Sequence, residues 1–479
     1  MHTQLMPVKW LIVGSGPSGV AVANYLIANG IRPMIIDGGV EVSTKDSTTQ
    51  QHSGMNKTWF GSEMSYFQPS SSILKYGPYV DARASFARGG FSRVWGATFD
   101  FTHDFADWPS DMIPTREDIE SVKALVPHSV TTWGTSLNSV GLSGSERSYS
   151  FYSQVSKRLS GSDLIVKPSV IAIDTNQNSV NYCVACERCL VGCPRNSIWF
   201  AGDILERWDT LGLIDYRPGF VVQHIEEDEQ VSVHMTHNGN TMQTITADKV
   251  FLAAGAISTA AIVVRSGLQE EVIIRDSSTA IGAAFQLRSS KGQSNGSHHS
   301  LSQWWIGSKN FIAQVYPPTI DLIEIAVKRF RLPNFFTGII GLVVMRIHPV
   351  IAYLPLEESG CITVRSIDGI AIANGHKGEK SPRVSFKKKL SQLAKIFFRS
   401  GYLMHHSMFQ FKAPGGGYHH GSSFPQGSLS DYVGRPKFFR NVHIVDSSVL
   451  PSLPLGSITP TVMANAVRIV RTVMSEGIS

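Results

Sequence analysis

Val8-Lys9-Trp10-Leu11-Ile12-Val13-Gly14-Ser15-Gly16-Pro17-Ser18-Gly19 is the stretch whose reading decides the fold. Residues 8–13 are apolar and β-rich, and a glycine turn follows them directly. A helical run through Ala21, Ala23, Tyr25 and Ile27 then reaches Gly30, a natural residue for the end of a helix. A second strand, Pro33-Met34-Ile35-Ile36, ends at Asp37. In a Gly-x-Gly-x-x-Gly turn, the first glycine permits the tight bend and the second admits a pyrophosphate close to the backbone. The third lets helix and strand pack. The helix N-terminus then presents partial positive charge to phosphate. Asp37 lies 18 residues after Gly19, at a strand end where a carboxylate can accept from ribose hydroxyls. A bare glycine turn carries little weight, but strand, turn, helix, strand and Asp in this order point to a dinucleotide site.

The rest of the chain bounds the reading. Its 479 residues suffice for about three domains of ~150 residues. Hydrophobic residues are 42% and charged residues 17%, so there is much interior to cover, and disorder, collagen-like repeats and coiled coil are excluded. Lys+Arg 43 against Asp+Glu 37 leaves +6, too diffuse to imply a nucleic-acid face. Basic residues cluster at Lys328-Arg329-Phe330-Arg331 and at Lys387-Lys388-Lys389. The second cluster opens an amphipathic helix with Leu390, Leu393, Ala394, Phe397 and Phe398 on one side. It reads as a core-packed helix with a basic edge, and a membrane-surface helix is the alternative. The longest apolar stretch, Phe335 to Met345, falls short of the ~18 residues that suggest a span. The first strand runs straight into the glycine turn and leaves no room for a cleaved signal, so a cytoplasmic protein is expected, with peripheral membrane contact left open.

Polar segments at 41–57, 134–150 and 286–302 read as surface connections. The middle of the chain, about 270–410, alternates in the manner of an antiparallel sheet, as in Phe311-Ile312-Ala313-Gln314-Val315-Tyr316 and Cys361-Ile362-Thr363-Val364. The end returns to α/β character, with a strand at 441–446 and a helix from Pro460 to about Met474.

Three more segments bear on the cofactor. They are Arg88-Gly89-Gly90-Phe91-Ser92-Arg93-Val94-Trp95-Gly96-Ala97, Val250-Phe251-Leu252-Ala253-Ala254-Gly255-Ala256-Ile257-Ser258-Thr259 and Asn441-Val442-His443-Ile444-Val445-Asp446-Ser447-Ser448-Val449-Leu450-Pro451. With the opening fingerprint they resemble the glucose–methanol–choline (GMC) family of FAD-dependent oxidoreductases. The match covers the two ends and two places between. In the middle it is loose, at Glu358-Ser359-Gly360-Cys361-Ile362-Thr363-Val364. The resemblance implies FAD rather than NAD, held in a Rossmann-like α/β domain assembled from discontinuous segments, beside a mainly antiparallel-sheet substrate domain. On it, residues 1–269 and 411–479 form the FAD-binding domain and 270–410 the substrate domain. It adds Gly89, Gly90, Ser92, Trp95, Gly96, Ala254, Gly255, Asp446, Ser447 and Pro460 to Gly14, Gly16, Gly19 and Asp37 as cofactor-binding residues.

The resemblance also places the catalytic end at Gly417-Tyr418-His419-His420-Gly421-Ser422. In the family a His before such a glycine takes the hydroxyl proton while the substrate carbon gives hydride to flavin N5. Imidazole suits that role, with an ordinary pKa near 6.5. The usual family position, three before the glycine, here holds Tyr418, so His419 is the first choice of base and His420 the second. Pairing alone proves nothing, since His298-His299 and His405-His406 are also pairs. The family's other active-site residue, usually Asn or His before the proline of the last helix, is here Thr459 before Pro460. Thr is also simply a good helix cap and Pro a good first helical residue.

Four of the five cysteines form Cys183-x-x-Cys186-x-x-Cys189-x-x-x-Cys193-Pro194, inside a cysteine-rich loop at 183–194. The spacing matches the bacterial ferredoxin pattern for iron–sulfur clusters. A reduced structural loop and a zinc site are the alternatives.

The sequence thus reads as a flavoprotein that oxidises an alcohol, on a sugar, polyol or sugar-like ring, with a dehydrogenase preferred to an oxidase. Its partners are a small alcohol and an electron acceptor that the sequence does not name. Trp304 and Trp305 are candidates to stack on such a ring. A hydrophobic-alcohol or sterol-like enzyme at a membrane surface, a flavin-dependent lyase or isomerase, and a non-enzymatic FAD-binding subunit stay open.

Overall fold

A computed structural model describes residues 3–39, 57–58, 61–62, 73–101, 105–133, 142–159, 162–190, 193–239, 241–287, 297–320, 322–323, 337–378 and 381–476. The opening segment folds as its pattern requires. Val8–Val13 forms a strand, Pro17–Ala28 a helix with Pro at its first position, and Met34–Ile36 the next strand. Gly30 takes a φ of +74° just past the helix end, where a Cβ would be strained.

These strands lie in an eight-stranded sheet. Asp215–Arg217, Met34–Ile36, Val8–Val13 and the end of Thr241–Leu252 run parallel, side by side. Thr241–Leu252 is the hinge of the sheet. Its first part pairs antiparallel with Val231–His237, which pairs in turn with the edge strand Phe220–Glu227. Its last three residues instead pair parallel with Val442–Ile444, some 190 residues later in the chain. The helix Ala256–Arg265 is apolar nearly all round and correspondingly buried, because it packs against Phe220–Glu227 and also against a second, five-stranded sheet. That sheet is ordered His420–Gly421, Glu271–Asp276, Cys361–Ile367, Ile370–His376, Leu74–Tyr76. The last helix, Thr459–Glu476, packs against Pro17–Ala28 and against Arg116–Leu125.

A third sheet, all antiparallel, carries the alternation seen in the middle of the sequence. Thr279–Gln286, Ile347–Tyr353, Phe311–Val315 and Trp304–Ser308 are neighbours in that order, with Ile165–Pro168 added at the far edge. Period-two alternation gives its two faces different work. Trp304, Ile306, Ala313, Val315, Val350 and Ala352 form a core with the helices Glu146–Leu159 and Pro382–Arg399. Trp305, Tyr316, Ile351 and Tyr353 cluster on the other face.

The basic helix is therefore core-packed, with Phe386, Leu390, Leu393 and Phe397 buried and Phe398 left exposed. Lys328–Arg331 and residues 335–336 lie outside the described residues, and Thr337–Val344 is a short helix. No helix among the described residues is long and apolar enough to cross a membrane.

Two expected surface connections are not that. Glu146–Leu159 is a helix that starts inside 134–150, whose residues 134–141 lie outside the described set. Within 286–302, residues 298–302 are buried, because most of their polar groups find partners inside the protein. His298 Nδ1 lies 3.0 Å from the His299 carbonyl, and Ser300 Oγ accepts from the Cys189 amide at 2.9 Å. His299 Nε2 meets Thr131 Oγ1 at 3.1 Å, and Ser302 Oγ meets Ser169 Oγ at 2.9 Å. Most of 41–57 lies outside the described residues.

Candidate active site

The parallel strands deliver their C-terminal ends, and the turns after them, to one cleft with about 1520 Å³ of atom-free space. Such an edge is where ligands bind in open α/β sheets.

The three glycines of the first turn do different things. Gly14 has φ +106°, and a Cβ on it would lie 2.5 Å from the Ala253 carbonyl oxygen of the neighbouring strand. A Cβ on Gly19 would lie 2.1 Å from the Gly14 oxygen, so this glycine is needed for helix and strand to pack. Gly16 alone faces open space, with nothing within 4 Å of a built Cβ. Gly90 stands across from it, where a Cβ would come 3.2 Å from the Gly16 Cα.

Ser15 ties three separated segments together. Its amide donates to Asp37 Oδ2 at 2.6 Å, and its hydroxyl accepts from the Gly89 amide at 2.9 Å. Asp37 also accepts from the Gly39 amide at 2.5 Å, and burial nevertheless pushes its carboxyl up to about 6. Ser92 donates to the Gly89 carbonyl at 2.5 Å and accepts from the Ala201 amide at 3.1 Å. The Trp95 indole donates to the Trp199 carbonyl at 3.1 Å. Asp446 closes the far side. It accepts from the Gly255 amide at 2.9 Å, from the Thr259 hydroxyl at 2.5 Å and from the Ser448 amide at 2.9 Å.

Of the residues expected to bind cofactor, Gly14, Gly16, Asp37, Gly90, Ser92, Trp95, Gly96, Ala254, Gly255, Asp446 and Ser447 line this one cleft. Gly19, Gly89 and Pro460 do not line it and support it from behind. A Cβ on Gly89 would strike the Phe200 ring at 2.3 Å, and Pro460 is buried in the first turn of the last helix. Three helix N-termini, at Pro17, Ala256 and Thr459, open onto the cleft. The open side of Gly16, the Gly90 surface opposite and the Asp37 carboxylate together fit a dinucleotide.

The expected catalytic residues His419, His420 and Thr459 line the same cleft. The His419 ring stacks on Tyr353, with centroids 4.6 Å apart. Nδ1 of both imidazoles is buried with no hydrogen-bond partner. Burial, and for His419 also its neighbour His420, drives their pKa values down to about 3 and about 4. Both rings are therefore neutral at neutral pH, and the same burial weakens them as bases. Tyr418 and Ala97, also in the lining, hold left-handed φ values of 57° and 52°. Non-glycine residues pay about 1–3 kcal/mol each for such conformations, so the surrounding packing must impose them.

The antiparallel sheet roofs the cleft with Gln314, Tyr316, Ile351 and Tyr353. The Tyr316 hydroxyl donates to Gln314 Oε1 at 3.4 Å. Burial raises both tyrosine phenols above their ordinary value, so they remain donors. Sequence reasoning missed these residues, since nothing but period-two alternation marks them. It misassigned Trp304, which stacks on Trp133 and Tyr152 in the helix-side core, at 3.9 and 4.1 Å. Trp305 lies on the cleft side of the sheet but does not line the cleft.

One further residue was missed. Asp276 pairs directly with His420 across the five-stranded sheet. It is buried, and neither carboxylate oxygen has a hydrogen bond, although the Gly415 amide approaches it. Burial, with added repulsion from Asp81, lifts its pKa to about 8.

Cys183, Cys186, Cys189 and Cys193 lie apart from the cleft lining, as free thiols. Burial pushes Cys183 up to about 11 and Cys189 up to about 12. No three of the sulfurs lie within 4.8 Å of one another. A zinc ion with ~2.3 Å bonds would need its sulfurs ~3.8 Å apart, so this arrangement does not fit a closed zinc site. A [4Fe–4S] cluster spaces its thiolates more widely, since each attaches to a different iron. The loop is anchored by the Ser197 amide donating to Cys193 Sγ at 3.2 Å and by the Cys183 amide donating to the Asp174 carbonyl at 2.9 Å.

No family model matches the chain, and no curated protein matches its sequence. Among solved structures it is similar to pyridoxine 4-oxidase from Mesorbium loti. The TM-score is 0.62 at 14% identity, over 98% of this chain and 99% of that one. The architecture is the GMC oxidoreductase fold, with its mixed α/β sheet and curled antiparallel sheet.

Proposed function

We propose that this protein binds FAD and oxidises an alcohol group on a sugar, polyol or sugar-like ring, with His419 as the base. The observation that carries this reading is the convergence of a dinucleotide cradle and two buried, neutral imidazoles on a single cleft. Gly14, Gly16 and Asp37 from the opening strand–turn–helix unit, Gly90 and Ser92 from residues 88–97, Gly255 from residues 250–259 and Asp446 from residues 441–451 would hold the cofactor, with Gly19 and Gly89 packed behind them. When bound, the flavin would supply the acceptor for the two electrons and the hydrogen that leave the alcohol carbon.

The chain's own residues do the rest. His419, held flat against Tyr353, takes the hydroxyl proton as the alcohol becomes a carbonyl. His420 is the second candidate for that proton. Thr459 presents a short hydroxyl at the N-terminus of the last helix, whose partial positive charge favours negative charge in the cleft. Gln314, Tyr316 and Tyr353 offer an amide and two phenols on otherwise apolar rings, a surface suited to a polyhydroxylated ring. Ile351 and the buried sheet behind them exclude water.

Cys183, Cys186, Cys189 and Cys193 would hold an iron–sulfur cluster, which would supply a one-electron outlet to a carrier rather than to oxygen. Pyridoxine 4-oxidase is an oxidase by name, so oxygen is the competing outlet.

The test is anaerobic reduction of the bound flavin by a panel of aldoses, polyols, pyridoxine and a sterol, followed by absorbance. At least one ring alcohol should bleach the flavin, and His419→Ala should slow that bleaching about 100-fold or more. Bound flavin that no alcohol reduces would point to a binding subunit. Loss of rate in His420→Ala alone would move the base by one residue. Iron and acid-labile sulfide in anaerobically purified protein, and their loss in Cys186→Ser, test the cluster.

A further inference from the structure

The antiparallel pair Phe220–Glu227 and Val231–His237 carries a group of donors that the alcohol chemistry does not use. His224 sits directly opposite His234 in the register, and Glu226, two residues on, shares the face of His224. His224 Nε2 lies 3.5 Å from one Glu226 carboxylate oxygen, and His234 Nε2 lies 3.4 Å from the other. All three ligand atoms are within 4.8 Å of one another, and among the described residues no other His, Cys, Asp and Glu group converges this closely.

The structure assigns a divalent transition-metal site, zinc foremost, to His224, Glu226 and His234. Three observations carry the assignment. The first is spacing. Zinc bonds of ~2.0–2.1 Å to nitrogen and ~2.0–2.2 Å to oxygen set neighbouring tetrahedral donors ~3.3–3.5 Å apart, and the two imidazole–carboxylate separations, 3.5 and 3.4 Å, match it. The second is an oriented ligand. His234 Nδ1 meets Thr244 Oγ1, on the third strand of the meander, at 2.9 Å, and this contact directs Nε2 towards Glu226. The third is the chemistry of the donors. Two imidazoles and a carboxylate suit zinc and its neighbours in the transition series, and leave a fourth position for solvent.

The two rings stack with centroids 4.3 Å apart, so both must turn about their side-chain bonds to bring their lone pairs onto one ion. The nearby Arg265 guanidinium is turned to the Gly369 carbonyl and the Gln223 side chain, at 2.8 Å each.

The location explains what an ion would do. Phe220–Glu227 is the edge strand of the eight-stranded sheet, and its register with the neighbouring strand breaks between Val222 and His224. A bulge weakens the ladder at that point. An ion bound across His224, Glu226 and His234 clips the edge strand to its neighbour just past the bulge. This assignment is independent of the flavin reading.

The test uses the purified flavoprotein, stripped with chelator and dialysed against micromolar zinc. The protein should retain one equivalent of zinc that survives Cys183→Ser and Cys186→Ser. Glu226→Gln, at an exposed position that leaves the fold intact, should weaken binding 100-fold or more, and so should His234→Gln. Thr244→Val removes an outer partner only, and should weaken binding by about 10–100-fold. The zinc X-ray absorption edge should report nitrogen and oxygen at ~2.0–2.1 Å with imidazole scattering, and no sulfur at ~2.3 Å. Full zinc retention by both Glu226→Gln and His234→Gln, a sulfur-containing shell, or no zinc bound by the wild-type protein would overturn the assignment.

Discussion

Replacing Gly16 with valine separates the cradle's binding function from its architecture. Gly16 has φ −67° and ψ −179°, which any residue adopts, and a Cβ there meets nothing within 4 Å. The variant should fold with a stability within about 0.5 kcal/mol of the parent, as for substitutions that touch nothing. What the side chain fills is the open space beside Gly16, where a pyrophosphate would lie. Hydrogen bonds to charged groups contribute about 1.5–3 kcal/mol each. Driving phosphate away from two backbone donors therefore costs about 3–6 kcal/mol, a loosening of about 10²- to 10⁴-fold. Fluorescence titration of FAD into flavin-free protein measures the affinity, and thermal unfolding of the same samples measures the fold. Gly19→Ala is the control. Its Cβ would sit 2.1 Å from the Gly14 oxygen, so it should destabilise the protein even without cofactor. The reasoning is refuted if Gly16→Val binds FAD within about threefold of the parent, or if it destabilises flavin-free protein as much as Gly19→Ala does.

Three other outcomes are expected. His419→Ala should keep FAD and lose alcohol-dependent flavin reduction, as stopped-flow absorbance would show. The buried histidines, with folded values of about 3 for His299, His348 and His419 and about 4 for His420 and His443, make stability fall as pH drops from 6.5 towards 4. The unfolded chain binds the extra protons in that window, at up to about 1.4 kcal/mol per pH unit per ring. Urea midpoints at pH 7 and pH 5 that agree would remove this account. Asp276 has the opposite sign. Its folded value of about 8 lies above the unfolded one, so its stability contribution is lost as pH rises from about 4 to 8, and Asp276→Asn should stabilise the protein at pH 7 by as much as about 4 kcal/mol. A less stable Asn variant at pH 7 would mean that the carboxylate is charged and partnered.

The cofactor cradle was legible because its chemistry is local. A strand, a glycine turn and a helix within residues 8–30 dictate both their conformation and their ligand, and the Ser15–Asp37 contact lies within the same unit. The His pair was legible only through resemblance, since His298-His299 has the same sequence texture and is buried structure instead. The roof was not legible. Tyr316 and Tyr353 alternate with core residues, and only the sheet register shows which face meets the cleft. Asp276 escaped because its pairing with His420 joins strands more than a hundred residues apart. The buried 298–302 segment escaped because its polar composition signals solvent, whereas its serines and histidines bond to Cys189, Thr131, Ser169 and each other's backbone inside the protein. Composition reports what a segment needs but not where it finds it.

The strand Thr241–Leu252 has a consequence for how the molecule is made. Its last residues obtain their inner neighbour only from Val442–Ile444, and the helix that covers Pro17–Ala28 is the final one in the chain. During synthesis, the parallel sheet therefore waits with one side unpaired until nearly all of the polypeptide has emerged. Closing a loop that long costs little more at equilibrium than closing a shorter one, but it delays the moment of closure. The unpaired side of Val250–Leu252 is meanwhile a template for other chains. A ribosome that stalls before residue 442 leaves a chain whose sheet cannot close, and such a fragment is a substrate for chaperones and proteases.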